Sequence, residues 1–324
     1  MIRRMLLAAA ALAALTGSTL AQSDYPAQAI TTIVPFSAGG STDTIGRLIA
    51  EPMTGKLGQQ VIVENIGGAG GTLGAGRAAR ATPDGYTLLL HHIGLASSVG
   101  LYRKLPYDAA TAFAPIGLVT DVPMTIVARA DFPANSIGEL LAYIRANKDQ
   151  VVFAHAGVGS VSHLCGLLLM QALGTKMTSV GYKGSGPAMT DLLGGQVDMT
   201  CDQTTNTMGH IKSGKIKAYA VTTQERLPSL PDLPTLDEAG LEGFEVTAWH
   251  GLYAPKGTPQ EVVDKLVAAL QVALKDPKVV ERFADLGTEP VPQERATPAA
   301  LEQHLQAEIV KWKPIIQAAG EYAD

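Results

Sequence analysis

Cysteine is scarce in this chain: Cys165 and Cys201 are the only two among 324 residues. Neither stands with histidines at the spacing of a zinc site, and no His-x-x-x-His pair occurs, so no metal is expected. Basic runs are also missing. The balance of 25 Lys+Arg against 30 Asp+Glu carries no nucleic-acid footprint. Beyond the N-terminus no apolar stretch approaches the ~20 residues that cross a bilayer. No serine lies in the Gly-x-Ser-x-Gly context of a nucleophile elbow. The cluster Gly67-Gly68-Ala69-Gly70-Gly71 has no Lys-Ser/Thr after it to hold a nucleotide phosphate. Nucleic acid, direct membrane entry and a bound cofactor are therefore not expected.

The N-terminus is distinctive. Arg3 and Arg4 precede an apolar run from residue 5 to 15, and Thr19-Leu20-Ala21 offers small residues for cleavage, which together read as a secretion signal over 1–21. No cysteine lies near the cut to carry a lipid, and the rest of a twin-arginine pattern is absent. An exported chain of roughly 300 residues is large enough for two domains, each with its own core. Export permits a disulfide between Cys165 and Cys201, although both could equally be buried free thiols.

Short apolar runs at 30–34, 61–64, 86–90, 116–119, 125–128, 151–154, 177–181, 197–201 and 216–221 read as buried strands. Amphipathic segments between them, such as Ile45, Leu48, Ile49 and Met53, have helical spacing. The alternation predicts an α/β architecture with largely parallel sheets. The C-terminal part is helical: Thr258-Pro259-Gln260-Glu261 reads as a capping box, Asp276-Pro277 and Thr297-Pro298 repeat the cap-plus-proline device, and Gly287 and Gly320 read as stops.

Two stretches share one grammar of buried strand, glycine loop, hydroxyl residue and helix. In the first, Thr32-Ile-Val-Pro-Phe36-Ser37-Ala38-Gly39-Gly40-Ser41-Thr-Asp43, paired glycines leave backbone N–H groups uncovered and cap-type residues open a helix. Orphan N–H groups and the positive end of the helix dipole favour an anion there. The second runs from Val151 through Gly157-Val158-Gly159-Ser160 to His163. It nearly matches a dinucleotide fingerprint but lacks the third glycine and the acidic residue after a following strand. A tight turn capped by Ser160, or a second anion site, remains. His91, His92, His155 and His250 stand near strand ends, and Asp202 ends the run at 197–201, where it could accept from a ligand, cap a loop or serve as a base. Ser160 with His163 or Asp202 would make the chain an exported hydrolase, the rival to a binding protein.

The chain resembles the Bug-type periplasmic solute receptors, the substrate-binding proteins of tripartite tricarboxylate transporters. The residues that carry this are Tyr25-Pro26, Pro35-Phe36 with Gly39-Gly40 and Asp43, Glu64-Asn65 with Gly68-Ala69-Gly70-Gly71, and Pro83-Asp84-Gly85-Tyr86. Further on come Leu105-Pro106-Tyr107-Asp108, Tyr182-Lys183-Gly184 with Asp191-Leu192-Leu193-Gly194-Gly195, Glu238-Ala239-Gly240 and Gly251-Leu252-Tyr253-Ala254-Pro255.

The resemblance implies a two-lobed periplasmic binding protein, type II-like. Residues 22–122 and 250–324 would form lobe 1 and residues 123–249 lobe 2, closing on ligand in the cleft. It implies a small di-, tri- or aromatic carboxylate as ligand, no enzymatic activity, and membrane permease subunits as partners, with a monomeric receptor. A sensor presenting ligand to a histidine kinase is the alternative. The ligand would be held largely through backbone groups and waters around Phe36, Ser37, Ala38, Gly39, Gly40 and Ser41, with Asp43 beside them and Gly159, Ser160, Tyr182 and Asp202 opposite. Ile66-Gly67 replaces the family's usual Arg-Pro, which is expected to loosen that loop. His91-His92 replaces small or hydroxyl residues, and one of them, with Trp249 or His250, is expected to line the distal end of the pocket and favour a bulkier acid.

Overall fold

A computed structural model describes residues 25–320 together with 322 and 323. The secretion signal read at 1–21 lies outside the described residues. The strands are β1 Ile30–Val34, β2 Val61–Asn65, β3 Thr87–His92, β4 Phe113–Arg129, β5 Val152–His155, β6 Thr178–Gly181, β7 Met199–Gln203, β8 Ile216–Val221 and β9 Thr247–Pro255. The helices are α1 Ser41–Leu57, α2 Thr72–Ala79, α3 Gly94–Leu101, α4 Ile137–Ala146, α5 Val161–Leu173, α6 Ser185–Leu193 and α7 Thr204–Lys212. Three more, α8 Gln260–Ala273, α9 Pro277–Asp285 and α10 Pro298–Ala319, follow β9.

Strands join in the order β2-β1-β3-β9-β4-β7-β5-β6, with β8 also on β4. The flanks are parallel (β1 with β2 and β3, β5 with β6 and β7), as βαβ crossovers dictate. The middle is antiparallel, because β9 returns between β3 and β4 and β4 pairs antiparallel with β7 and β8. The α/β class expected from alternation is therefore observed, with a mixed rather than largely parallel sheet.

Two differences have local causes. The runs at 116–119 and 125–128 belong to one 17-residue strand, β4. Pro123 suggests a break, but it stands where β4 leaves β9 and takes up β7 and β8, so its missing N–H costs little pairing. Strand β9 shows no alternation because it is buried on both faces from Ala248 to Pro255. The caps mostly follow the sequence: Asp276 accepts from Lys278 N and Val279 N, and Thr297 accepts from Ala300 N. The Thr258 box does not form. Its hydroxyl donates to Pro255 O at 2.8 Å, and Pro259 occupies the cap of α8.

Cys165 on α5 and Cys201 on β7 are disulfide-bonded, with Cα atoms 6.2 Å apart. This decides between the two readings left open. The bridge spans 36 residues, a loop whose closure is worth about 4 kcal/mol in the chain-entropy picture. It also ties together two elements whose ends meet at the same cavity.

Candidate binding site at converging helix starts

The first glycine loop carries α1 into the sheet edge with its N–H groups facing inward. Gly39 has φ +79°, a left-handed turn that frees the chain to reverse before the helix. Asp43, expected to meet ligand, instead braces this loop. Its carboxylate accepts from Gly39 N at 3.0 Å, from Asn65 Nδ2 at 2.9 Å and from Arg47 Nε at 3.0 and 3.1 Å. Burial pushes its pKa up, but these hydrogen bonds outweigh burial and hold it below the ordinary value.

Four helix starts converge on one small enclosed cavity of about 10 Å³. Its lining is Phe36, Ser41 and Thr42 at α1, Ala156, Val161 and Ser162 at α5, Ser185 at α6, Asp202 and Gln203 before α7, and His92 from β3. No Lys or Arg is among them. Attraction for an anion would therefore come from peptide N–H groups and helix ends. Two lining groups, Ser41 Oγ and Gln203 Oε1, are buried without a hydrogen-bond partner, as is Ser37 Oγ nearby. Orphaned buried groups cost about 1–3 kcal/mol each, so a molecule that met them would recover that cost.

The sequence-derived residues divide by position. Phe36, Ser41, His92 and Asp202 line the cavity. Ala38 and Gly39 are exposed at its rim, while Gly40 is buried. Gly159 and Ser160 shape the opposite helix start: Ser160 Oγ accepts from His163 N at 3.3 Å and shares a 3.0 Å bond with Ser162 Oγ. The Ser162 hydroxyl, missed in the sequence, accepts from Ala156 N at 2.8 Å. Tyr182 points to Asp191, donating at 2.7 Å, and Trp249 donates to Glu308 at 3.0 Å beneath α10; neither lines the cavity. His163 Nδ1 accepts from Gly159 N, so Ser160 and His163 are joined through backbone groups rather than as nucleophile and base.

Three fully buried histidines back the site. His92 stacks on Phe36 with centroids 4.5 Å apart, and its Nδ1 accepts from Gly94 N at 2.9 Å. The proton is thereby assigned to Nε2, the donor His92 retains. His91 Nδ1 accepts from His92 N at 2.8 Å. His250 Nδ1 lies 3.0 Å from Ala248 O and donates to it, leaving Nε2 to accept from Thr42 Oγ1 at 3.2 Å. Burial first, then repulsion from His250, pushes His91 down to about 3; burial pushes His250 down to about 3 and His92 well below its ordinary value. All three are neutral at pH 7. Asp202 moves the other way: burial raises it to about 6 against hydrogen bonds from Asn206 Nδ2 and Gln203 N.

Thr42, Ala156, Val161, Ser162, Ser185 and Gln203 were the lining residues not anticipated. Gly184 before Ser185, with φ +155°, repeats the glycine-then-helix signal and could have flagged α6. Across the cavity the two sides already touch. Ser37 N donates to Lys183 O at 2.9 Å, Ser97 Oγ to Gly159 O at 2.9 Å, and Tyr102 OH lies 2.7 Å from Ala69 O and 3.1 Å from Val158 O. Gly67 packs closely: a Cβ there would meet Lys183 O at 2.6 Å, so the glycine lets the 183 carbonyl approach.

A mixed α/β fold with helix starts meeting at one cavity is that of the periplasmic binding proteins. The family model for the tripartite tricarboxylate transporter family receptor matches residues 45–321, and the chain belongs to that family. The structure of periplasmic binding protein BugD is 52% identical, with a TM-score of 0.91, covering 93% of this chain and 100% of that one. MatC from Rhodopseudomonas palustris with bound malate is 44% identical, TM-score 0.87, covering 90% and 100%. A second R. palustris protein, solved with adipate, is 33% identical, TM-score 0.86, covering 91% and 98%. These relatives are solute-binding proteins rather than enzymes. Among the described residues no helix is long and apolar enough to cross a membrane.

Proposed function

We propose that this protein captures an aliphatic dicarboxylate of about four to six carbons in the periplasm and hands it to the membrane permease of a tripartite transporter. The observation that carries the reading is the Ser41 hydroxyl, a donor buried without a partner where four helix starts meet and no Lys or Arg enters. Malate in one relative and adipate in another give the size range. Helix ends supply ~0.3–1 kcal/mol each, whereas micromolar binding needs ~8 kcal/mol, so hydrogen bonds and burial of the ligand body must contribute most. His92 stacked on Phe36 fills space instead of opening it, which favours slim aliphatic acids over the bulkier ones first expected.

The lobe division at 22–122 with 250–324, against 123–249, belongs to this proposal. It is supported by the partner change along β4, which pairs with β9 through Pro123 and with β7 and β8 from Met124 onward. Opening at β4 and β9 would part Ser37 from Lys183 and Ser97 from Gly159. The receptor acts as a monomer, exported by residues 1–21. Isothermal titration of the mature chain, refolded to remove carry-over ligand, against C4–C6 dicarboxylates, citrate and benzoate tests it. One saturable stoichiometric hit among the dicarboxylates is expected; silence from all of them, with refolding verified, overturns it.

A further inference from the structure

We infer that Asp202 meets its ligand as a neutral acid, so that capture of a dicarboxylate takes up one proton from solvent, which the Asp202 carboxyl then donates to a ligand oxygen. The inference rests on the dicarboxylate reading and deepens it. Asp202 is 3% exposed and lines the cavity beside the orphaned Gln203 Oε1 and Ser41 Oγ. Its Oδ1 accepts from Gln203 N at 2.8 Å and its Oδ2 accepts from Asn206 Nδ2. Among the described residues no cation is paired with either oxygen.

The ionisable groups on the surrounding elements do not offset its charge. From β3 and β9 come His91, His92 and His250, and from β5 and α5 His155 and His163, all held neutral by burial. On α1, Asp43 is matched to Arg47; on α6, Asp191 accepts from Tyr182; Lys183, between β6 and α6, is exposed. On β4, Asp121 pairs with Arg295, and Arg129 with Asp198 from the turn before β7. On α7, His210 is held down by burial and Lys212 reaches the Asp285 carbonyl. A ligand anion brought into this lining would face an uncompensated carboxylate, and two carboxylates in one dry site share a proton.

In the free protein burial, opposed by the hydrogen bonds from Asn206 and Gln203, lifts the Asp202 carboxyl to about 6, and an added anion lifts it further. Below the free-state value both states carry the proton and this group adds no pH dependence. Above it, affinity falls by up to tenfold for each pH unit, because the proton must be taken up with the ligand.

Titration calorimetry of the mature protein with malate and with adipate, at about pH 6.5 to 8.5 where both acids are dianions, decides the matter when run in phosphate and in Tris, whose ionisation enthalpies differ widely. The expected result is uptake approaching one proton per ligand at the alkaline end, with weaker binding as pH rises. Asp202→Asn, neutral at every pH, should bring the proton count to zero and flatten the pH profile. Binding of either acid by the wild type without proton uptake overturns the inference while leaving the receptor reading intact, as does an unchanged proton count in Asp202→Asn. Heat from neither acid at any pH overturns both. If the variant does not fold, the wild-type proton count decides by itself.

Discussion

The backbone N–H of Ser41 donates to Ser185 Oγ at 3.2 Å across 144 residues of sequence, joining the first turn of α1 to the first turn of α6. A hydroxyl on one helix start satisfies an orphan donor of another, so this link between the two helices needs no charged side chain. The contact also shows how little room separates the two sides. A Cβ on Gly40 would lie 2.7 Å from the same Ser185 Oγ.

Gly67→Ala tests whether this close approach serves binding. The added methyl meets the Lys183 carbonyl, a backbone atom that no rotamer change can move. Gly67 carries no left-handed φ, so the cost falls on the contact rather than on local strain. Dicarboxylate affinity should drop about tenfold or more, roughly 1.4 kcal/mol, while Tm changes little. Titration calorimetry beside a melting curve reads both, and unchanged affinity would show that the approach is dispensable.

Ser41→Ala separates a binding role from a structural one. Its hydroxyl has no protein partner, so its removal should leave Tm unchanged or slightly higher. A hydrogen bond to a charged ligand oxygen is worth ~1.5–3 kcal/mol, which predicts a loss of affinity of about 10- to 100-fold. Equal affinity in the variant would remove Ser41 from the site.

Stability should fall steeply as the pH is lowered from 7 to 5. His91, His163 and His250 sit near 3 in the folded protein and near 6.5 unfolded, so the unfolded chain binds more protons throughout that interval. Each removes up to ~1.4 kcal/mol per pH unit as the pH drops below 6.5. Asp202, raised to about 6, opposes them with the reverse sign, because below that value the folded state holds a proton that the unfolded carboxylate lacks. The histidines outnumber it, and acid destabilisation wins. Melting curves across this range should show Tm declining toward pH 5; a flat profile would mean that the histidines are not held neutral.

The sequence by itself determined the α/β class and the helix start at Ser41, and it singled out Asp202, which lines the same cavity, because strand–glycine–helix grammar is local and is written in consecutive residues. The α9 and α10 caps at Asp276 and Thr297 were legible for the same reason. Strand β9 was hidden, since His250 and Gly251 interrupt the apolar run by which the other buried strands are recognised. Tertiary structure alone decided that Cys165 and Cys201 bond, that Asp43 braces its loop, and that Trp249 and Tyr182 turn elsewhere. It alone brought Ser185 and Gln203 beside Ser41. Those outcomes depend on where distant segments meet, and proximity between residues 144 positions apart is a property of the packed sheet that no local pattern encodes.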